Sequence, residues 1–298
     1  MRQLAEKKPK LKSSVVAIFI ANEENSSILG VGIDALVKDG LLDGLKNGPL
    51  FWIDVADKQP CIGTGGMIVW KLRATGKLFH SGLPHKAINS LELCMDALKE
   101  IQLRFYRDFP PHPQEAVYGF ATPSTMKPTQ VTYPGGGVNQ IPGECTITGD
   151  VRLTPFYNVK DVVTKIQEYV DDLNKNITDL ESRGPVSKYT LPDEGIKGRL
   201  FVDFDDIMTS GVACKLDSSG FHALSEATKN VLGHVQPYSI TGSLPLIREL
   251  QDEGFDVQTI GYGIMATYHA QNEYCLLSDF QLGFKVLCNV ISILEDEG

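Results

Sequence analysis

Glu23 and Glu24 are adjacent carboxylates that directly follow an apolar run, residues 14–21, which is short, β-branched and uninterrupted. Such a run predicts a buried strand of a parallel sheet. The C-terminal ends of such strands face the crevice where open α/β sheets bind ligands. There one carboxylate can hold a metal ion while its neighbour activates water. The competing reading is a pair of solvated loop charges. Asp54 closes a second apolar stretch, residues 49–55. His269 lies in Tyr268-His269-Ala270-Gln271-Asn272-Glu273-Tyr274, just past a third, residues 257–264. Carboxylates combined with imidazole suit zinc, cobalt or manganese. On its own, His269 reads as a hydrogen-bonded loop histidine, the commoner case for a single His, and the three positions together are more specific than any one alone.

The elements that must position these groups follow from periodicity. After Glu24, Asn25 or Ser26 can cap a helix carrying Ile28, Leu29, Ile33, Leu36 and Val37, with Gly40 as its stop. Strand, helix, strand is the unit of a parallel sheet. Gly63-Thr64-Gly65-Gly66 reads as a chain reversal or hinge, since no Lys-Ser/Thr follows to make a phosphate loop. From Met67 the pattern changes. An alternating strand (67–74), a periodic helix (89–105), two strands (129–133 and 145–153) around Gly135-Gly136-Gly137, a second helix (159–177) and a last strand (200–204) give the order βαββαβ. That is the order of a ferredoxin-like sandwich. Residues 182–198 read as a polar surface loop. The tail returns to α/β order: helices at 221–232 and 245–253, the 257–264 strand, and a long helix to Leu294 opened by a Ser278-x-x-Gln281 capping box. The expected fold is therefore α/β, with a mostly parallel sheet domain (1–66 and 212–298) interrupted by a ferredoxin-like α+β domain (67–211).

Composition bounds the partners. The chain has 298 residues, 42% of them hydrophobic, and a net charge of −9. That balance argues against a nucleic-acid or anionic-membrane partner. No run of eighteen apolar residues predicts a membrane span, and the N-terminus lacks the apolar core of a signal peptide. Six scattered cysteines without Cys-x-x-Cys spacing read as free thiols of a reducing compartment, which points to the cytoplasm. Residues 1–13 read as the end of a helix and a turn into a central strand, an odd start for such a domain.

Four strings carry a resemblance: Ala21-Asn22-Glu23-Glu24-Asn25, Gly76-Lys77-Leu78-Phe79-His80-Ser81-Gly82, Gly136-Gly137-Val138-Asn139-Gln140-Ile141-Pro142-Gly143, and the segment around His269. Together they resemble the co-catalytic zinc deacylases and exopeptidases, which include succinyl-diaminopimelate desuccinylase, aminoacylase and glutamate carboxypeptidases. With Asp150-Val151-Arg152 and Thr241-Gly242-Ser243-Leu244-Pro245, the chain most resembles the plant acetylornithine deacetylase branch. The resemblance implies a zinc-exopeptidase-like fold with an inserted dimerisation (lid) domain, a homodimer through residues 67–211, and hydrolysis of N2-acetylornithine or another N-acyl amino acid or dipeptide. It implies two zinc ions, with cobalt as a substitute. Glu23 would be the general base, and Glu24 and His269 ligands of one ion. For the other ion the resemblance implies Asp54, since in related deacetylases the acidic ligand lies six residues before the Pro of a Gln-Pro pair, here Gln59-Pro60, with Asp57 the alternative. His80 would donate to the oxyanion across a dimer, with His85 its competitor. Asn139, Arg152, Gly242 and Ser243 would contact substrate, although Arg152 reads as readily as a surface arginine.

One departure stands out. The family draws further ligands, including a bridging Asp, from an upstream His-x-Asp motif, and no His or Asp precedes Glu23 here. The expectation is an N-terminally truncated chain of low or no activity that binds zinc weakly, or one that serves as a non-catalytic dimerisation partner.

Overall fold

The structure, a computed structural model, describes residues 1–23, 28, 30–181, 183–186, 189–244 and 246–297. The first part of the chain holds α1 (Arg2–Lys7), α2 (Ile33–Lys38), β1 (Pro49–Ile53) and β2 (Cys61–Thr64). The middle runs β3 (Gly66–Thr75), β4 (Phe79–His80), α3 (Ser90–Asp108), α4 (Pro113–Val117), β5 (Thr125–Thr132), β6 (Gln140–Ile141), β7 (Glu144–Leu153), α5 (Val159–Lys175), β8 (Thr190–Leu191), β9 (Ile196–Lys197) and β10 (Arg199–Phe204). The last part holds β11 (Val212–Ala213), α6 (Ser219–Leu232), β12 (Tyr238–Ile240), α7 (Ile247–Asp252), β13 (Asp256–Ile260) and α8 (Leu277–Glu297).

The middle segment forms an antiparallel sheet in the order β10-β3-β7-β5, with long crossovers through α3 and α5, as the βαββαβ reading expects. Alternation along β3 sends Ile68, Trp70, Leu72 and Ala74 to one buried face. Leu93, Ala97, Ile101 and Phe105 of α3 and Val162, Ile166 and Val170 of α5 cover that face. Among the described residues no helix covers the opposite face, which presents half-exposed polar side chains, Asp150 and Arg152 among them. The segment read as a polar loop contains the small β8–β9 hairpin and a buried Tyr189.

The outer sheet, β1-β13-β2-β11 with β12 beside β2, is mixed rather than mostly parallel. Only β1·β13 and β12·β2 run parallel. Residues 14–20 form no strand among the described residues. Ile18 and Ile20 touch the outer core while Phe19 is 91% exposed, so only alternate side chains are covered and no described neighbour supplies a ladder. The expected first helix is reduced to Ile33–Lys38. Gly63 and Thr64 lie in a buried strand and not in a turn. The glycines serve close approach, because a Cβ on Gly65 would collide with the Thr241 carbonyl where β2 runs straight on into β3.

The helix α8 already includes Ser278, so the expected capping box is not formed. By length and composition alone, Leu277–Asp296 is long and apolar enough to cross a membrane (mean hydropathy 1.4). In the structure its Val286 and Val290 are buried with Ala223, Leu224 and Ala227 of α6 and Ile260 of β13, as in a sheet-covering helix.

Candidate active site

The contact between β1 and β13 continues past the ends of both strands. The Asp54 N–H donates to the Ile260 carbonyl at 2.9 Å, that of Asp57 to Gly263 at 3.0 Å, and that of Lys58 to Gly261 at 3.0 Å. Gly261 permits this approach, because a Cβ there would sit on the Val55 carbonyl. The chain then turns through left-handed residues, Asp57 (φ 63°) and Lys58 (φ 62°). From β12, the Tyr238 hydroxyl donates to the Ala56 carbonyl at 3.0 Å. Burial pushes that phenol well above its ordinary range, so it stays a neutral donor. Lys58 Nζ meets the buried Asp279 carboxylate at 2.9 Å, which ties the turn to the start of α8.

This turn gathers the His269 segment. The Tyr268 hydroxyl donates to the Asp54 carbonyl at 3.2 Å, and Asp57 Oδ1 accepts from the Met265 N–H at 3.2 Å. His269 itself takes a left-handed φ of 55°, and its N–H donates to Glu273 Oε2 at 3.2 Å. Its ring lies 5.1 Å from that of Tyr268. The Asp54 carboxylate turns back toward Trp52, with Nε1 3.4 Å from Oδ2. The end of β1 therefore carries Asp54, Asp57 and, one residue beyond the Tyr268 contact, His269.

Glu23 is half-buried, just after Asn22, a left-handed residue (φ 63°) whose amide donates to the Ile28 carbonyl at 2.6 Å. Glu24 lies outside the described residues. The start of the Glu23 loop abuts the segment after Ser243: Gly32 packs between the Ala21 carbonyl and the Leu246 side chain. Gly242 and Ser243 follow β12, and the Gly242 carbonyl accepts from Gly65 N–H at 2.8 Å. They do not open a helix, since α7 begins only at Ile247.

Arg152 and His80 lie at opposite ends of the four-stranded unit. Arg152 pairs with Met67, at the end of β3 that joins the outer sheet. Its Nε donates to Asp150 Oδ2 at 2.9 Å on the face opposite α3 and α5. His80 lies beyond the far end of β3, on a small β4–β6 ladder that pairs it with Gln140. At about 3.3 Å per residue, the ten residues of β3 separate the two ends by roughly 30 Å. At the far tip, the Asn139 side-chain amide lies 3.4 Å from His80 Nε2, and the Ser81 N–H donates to the Asn139 carbonyl at 2.8 Å. His85 is exposed beside an open hollow of about 530 Å³ between residues 84–87 and 190–194, away from the Asp54 corner. Lys77 Nζ and both Glu194 carboxylate oxygens, at 2.6 and 2.5 Å, brace the base of the His80 loop.

A tetrahedral metal site needs three or four convergent donors. Among the described residues, no group of three His, Cys, Asp or Glu side chains is placed to hold an ion. Asp54 and Asp57 spend contacts on Trp52 and Met265, so the corner as it stands does not fit a closed metal site. What the arrangement does offer is an imidazole and acids at one strand end, a carboxylate on the loop before α2, and a guanidinium at the junction of the two sheets. Sequence reading missed Tyr238 and the Lys58–Asp279 pair. Only Tyr268, next to His269 in a string already singled out, carried a local signal.

Comparison with known proteins places the chain among hydrolases. Residues 62–178 match the peptidase dimerisation domain family. The chain is 73% identical over 295 residues to acetylornithine deacetylase of Arabidopsis thaliana, covering 99% of this chain and 67% of that protein. It is 52% identical to acetylornithine deacetylase of Dictyostelium discoideum, covering 98% of this chain and 66% of that one. The chain thus spans about two thirds of the length of these relatives. Among solved structures, an aminopeptidase of Bacillus cereus aligns with a TM-score of 0.66 at 15% identity (98% of this chain, 67% of that chain). A metallo-carboxypeptidase of Sulfolobus solfataricus aligns with a TM-score of 0.58 at 15% identity (89% and 67%). At that identity the structures speak to the fold alone.

Proposed function

Because the chain belongs to the acetylornithine deacetylase family of metal-dependent amide hydrolases, we propose that it is built to hydrolyse N2-acetylornithine to ornithine and acetate. The identity to the Arabidopsis relative over nearly the whole chain carries this reading. In it, residues 1–66 and 212–298 form the catalytic domain and residues 67–211 the lid. Zinc, with cobalt the nearest substitute, would be held by donors of carboxylate and imidazole type: Glu24, His269, and Asp54 or Asp57. Six free thiols, all among the described residues, favour the cytoplasm.

Each residue then has a task. Glu23 takes a proton from the attacking water and returns it to the leaving amine. Arg152 receives the substrate carboxylate on the guanidinium edge that Asp150 leaves open. Gly242 and Ser243 lie beside the same junction and contact the substrate. His80 donates to the oxygen of the developing tetrahedral centre, where one donor is a large share of catalysis, and Asn139 flanks it. The roughly 30 Å between the two ends of β3 favours His80 acting on the site of a second copy, which makes the working unit a homodimer joined through the lid.

Donors as spread as Asp54, Asp57 and His269 bind an ion weakly, so the isolated chain is expected to turn over slowly. The test is ornithine release from N2-acetylornithine by the purified chain with added zinc or cobalt, alongside its Glu23→Gln variant. Slow release abolished by Glu23→Gln is expected. Turnover of roughly 1 s⁻¹ or more, in the ordinary enzyme range, would mean that the metal site is complete. Faster cleavage of another N-acyl amino acid or of a dipeptide would move the substrate. A second reading has its own observation: the four-stranded unit is fully formed while the metal donors among the described residues do not converge. In that reading the chain serves as the lid-donating, non-catalytic partner of a complete subunit.

A further inference from the structure

We propose that the backbone N–H of Gly82 is a positioning group that fixes the tautomer of His80, so that the ring carries its proton on Nε2. The proposal deepens the role given to His80 and rests on that reading for its purpose. The tautomer itself stands on local geometry.

The Gly82 nitrogen lies 3.0 Å from His80 Nδ1. A backbone N–H can only donate, so Nδ1 must accept with its lone pair. Neutral imidazole has one proton, and it is then left on Nε2. That is the tautomer an oxyanion donor needs. The other would turn a lone pair toward the developing negative oxygen. Glycine makes the contact possible, because a Cβ at position 82 would stand 3.1 Å from Nδ1 and 3.2 Å from Cε1, pressing the ring off its seat. The backbone around it is pinned: Ser81 N–H donates to the Asn139 carbonyl at 2.8 Å and Leu83 N–H to the His80 carbonyl at 2.9 Å.

Asn139 completes the arrangement. Its Nδ2 is placed 3.4 Å from Nε2, a donor against the nitrogen that carries the proton. The two ends of an amide have nearly the same shape, and the protonated Nε2 selects the oxygen end as its neighbour. At 3.4 Å that contact is long and weak, so Nε2–H can leave it for a better acceptor.

The same backbone-to-ring bond occurs at His112, whose Nδ1 accepts from Gln114 N–H at 3.2 Å and caps α4. His80 is no helix cap, since the next helical turn, the 3-10 turn Pro84–Lys86, is preceded by Leu83, so the bond there has no capping duty to explain it.

Histidine ring nitrogens labelled with ¹⁵N report the tautomer without turnover. The experiment is a long-range ¹H–¹⁵N spectrum of the full chain above the ordinary imidazole titration range, with the His80 signals identified by their loss in His80→Asn. The expected pattern is a pyridine-like Nδ1 and a pyrrole-like Nε2, as for the internal reference His112. Gly82→Ala should shift both nitrogens toward the average of the two tautomers. A pyrrole-like Nδ1 in the unaltered chain overturns the proposal, and so does a Gly82→Ala spectrum that keeps the locked pattern. Because the spectrum does not depend on catalysis, an inactive chain with a locked ring would count against the function of His80 and leave the tautomer standing.

Discussion

Asp108 ends α3, where the helix dipole disfavours a carboxylate. The Arg107 guanidinium beside it, and then the Tyr169 hydroxyl from α5 at 2.6 Å, hold its carboxyl down to about 2. Unfolded, the group titrates near its ordinary 3.8. A carboxyl lowered on folding adds stability above the unfolded value and loses it as pH falls through the folded one. Urea midpoints should therefore drop between about pH 4 and pH 2, and Asp108→Asn should remove part of that drop. An unchanged acid slope in the variant would mean that the pair does not couple to folding. At this scale the sequence was legible where chemistry is written in adjacent residues. Glu23-Glu24 and the string around His269 could be singled out because each carries its own context. The choice between Asp54 and Asp57 could not be made locally, because their contacts come from Trp52, Met265 and Tyr268. Tyr238 on Ala56 and Lys58 on Asp279 are bonds across 182 and 221 positions, and no spacing rule reaches that far.

Asn89 shows how an element is bounded. Its side chain accepts from the Leu91 and Glu92 N–H groups at 3.1 and 3.3 Å and starts α3. Asn89→Ala should cost about 1 kcal/mol, read as a lowered urea midpoint with an unchanged slope. A loss below a few tenths would mean that solvent satisfies those N–H groups equally well. The elements of the four-stranded unit were legible because each buries one face against the same core, so alternation and helical periodicity both carry signal. Residues 14–20 were misread for a physical reason: an apolar run tells how a strand would be buried, but not whether a neighbour pairs with it. The glycines at 63–66 were read as a turn because turns and close backbone approach leave the same mark in a sequence. Ser278 matches a capping box, yet Leu277 before it is already helical, so a four-residue pattern was overruled by the register of α8.

At the scale of the molecule, two sheets meet at the β2–β3 continuation, and the unit beyond it is an arm. Arg152 stands at its base and His80 at its tip. The acids and His269 belong to the outer sheet, and Glu23 lies on the loop before α2. The α+β character of the arm was legible in the order of its elements, whereas the mixed pairing of the outer sheet was not, since strand direction depends on connections that periodicity does not show. If the arm carries a donor for someone else's site, a single chain cannot supply both halves to one substrate. The most direct measurement uses a full-length relative in which the histidine matching His80 is replaced by Asn. That inactive protein is co-expressed with this chain, and ornithine release is assayed on the purified mixed dimer. The expected result is recovery of up to about half the activity of the unaltered relative, one working site of two, and no recovery when this chain carries His80→Asn. A mixed dimer that stays inactive with His80 present, or one that recovers equally without it, would contradict the reading.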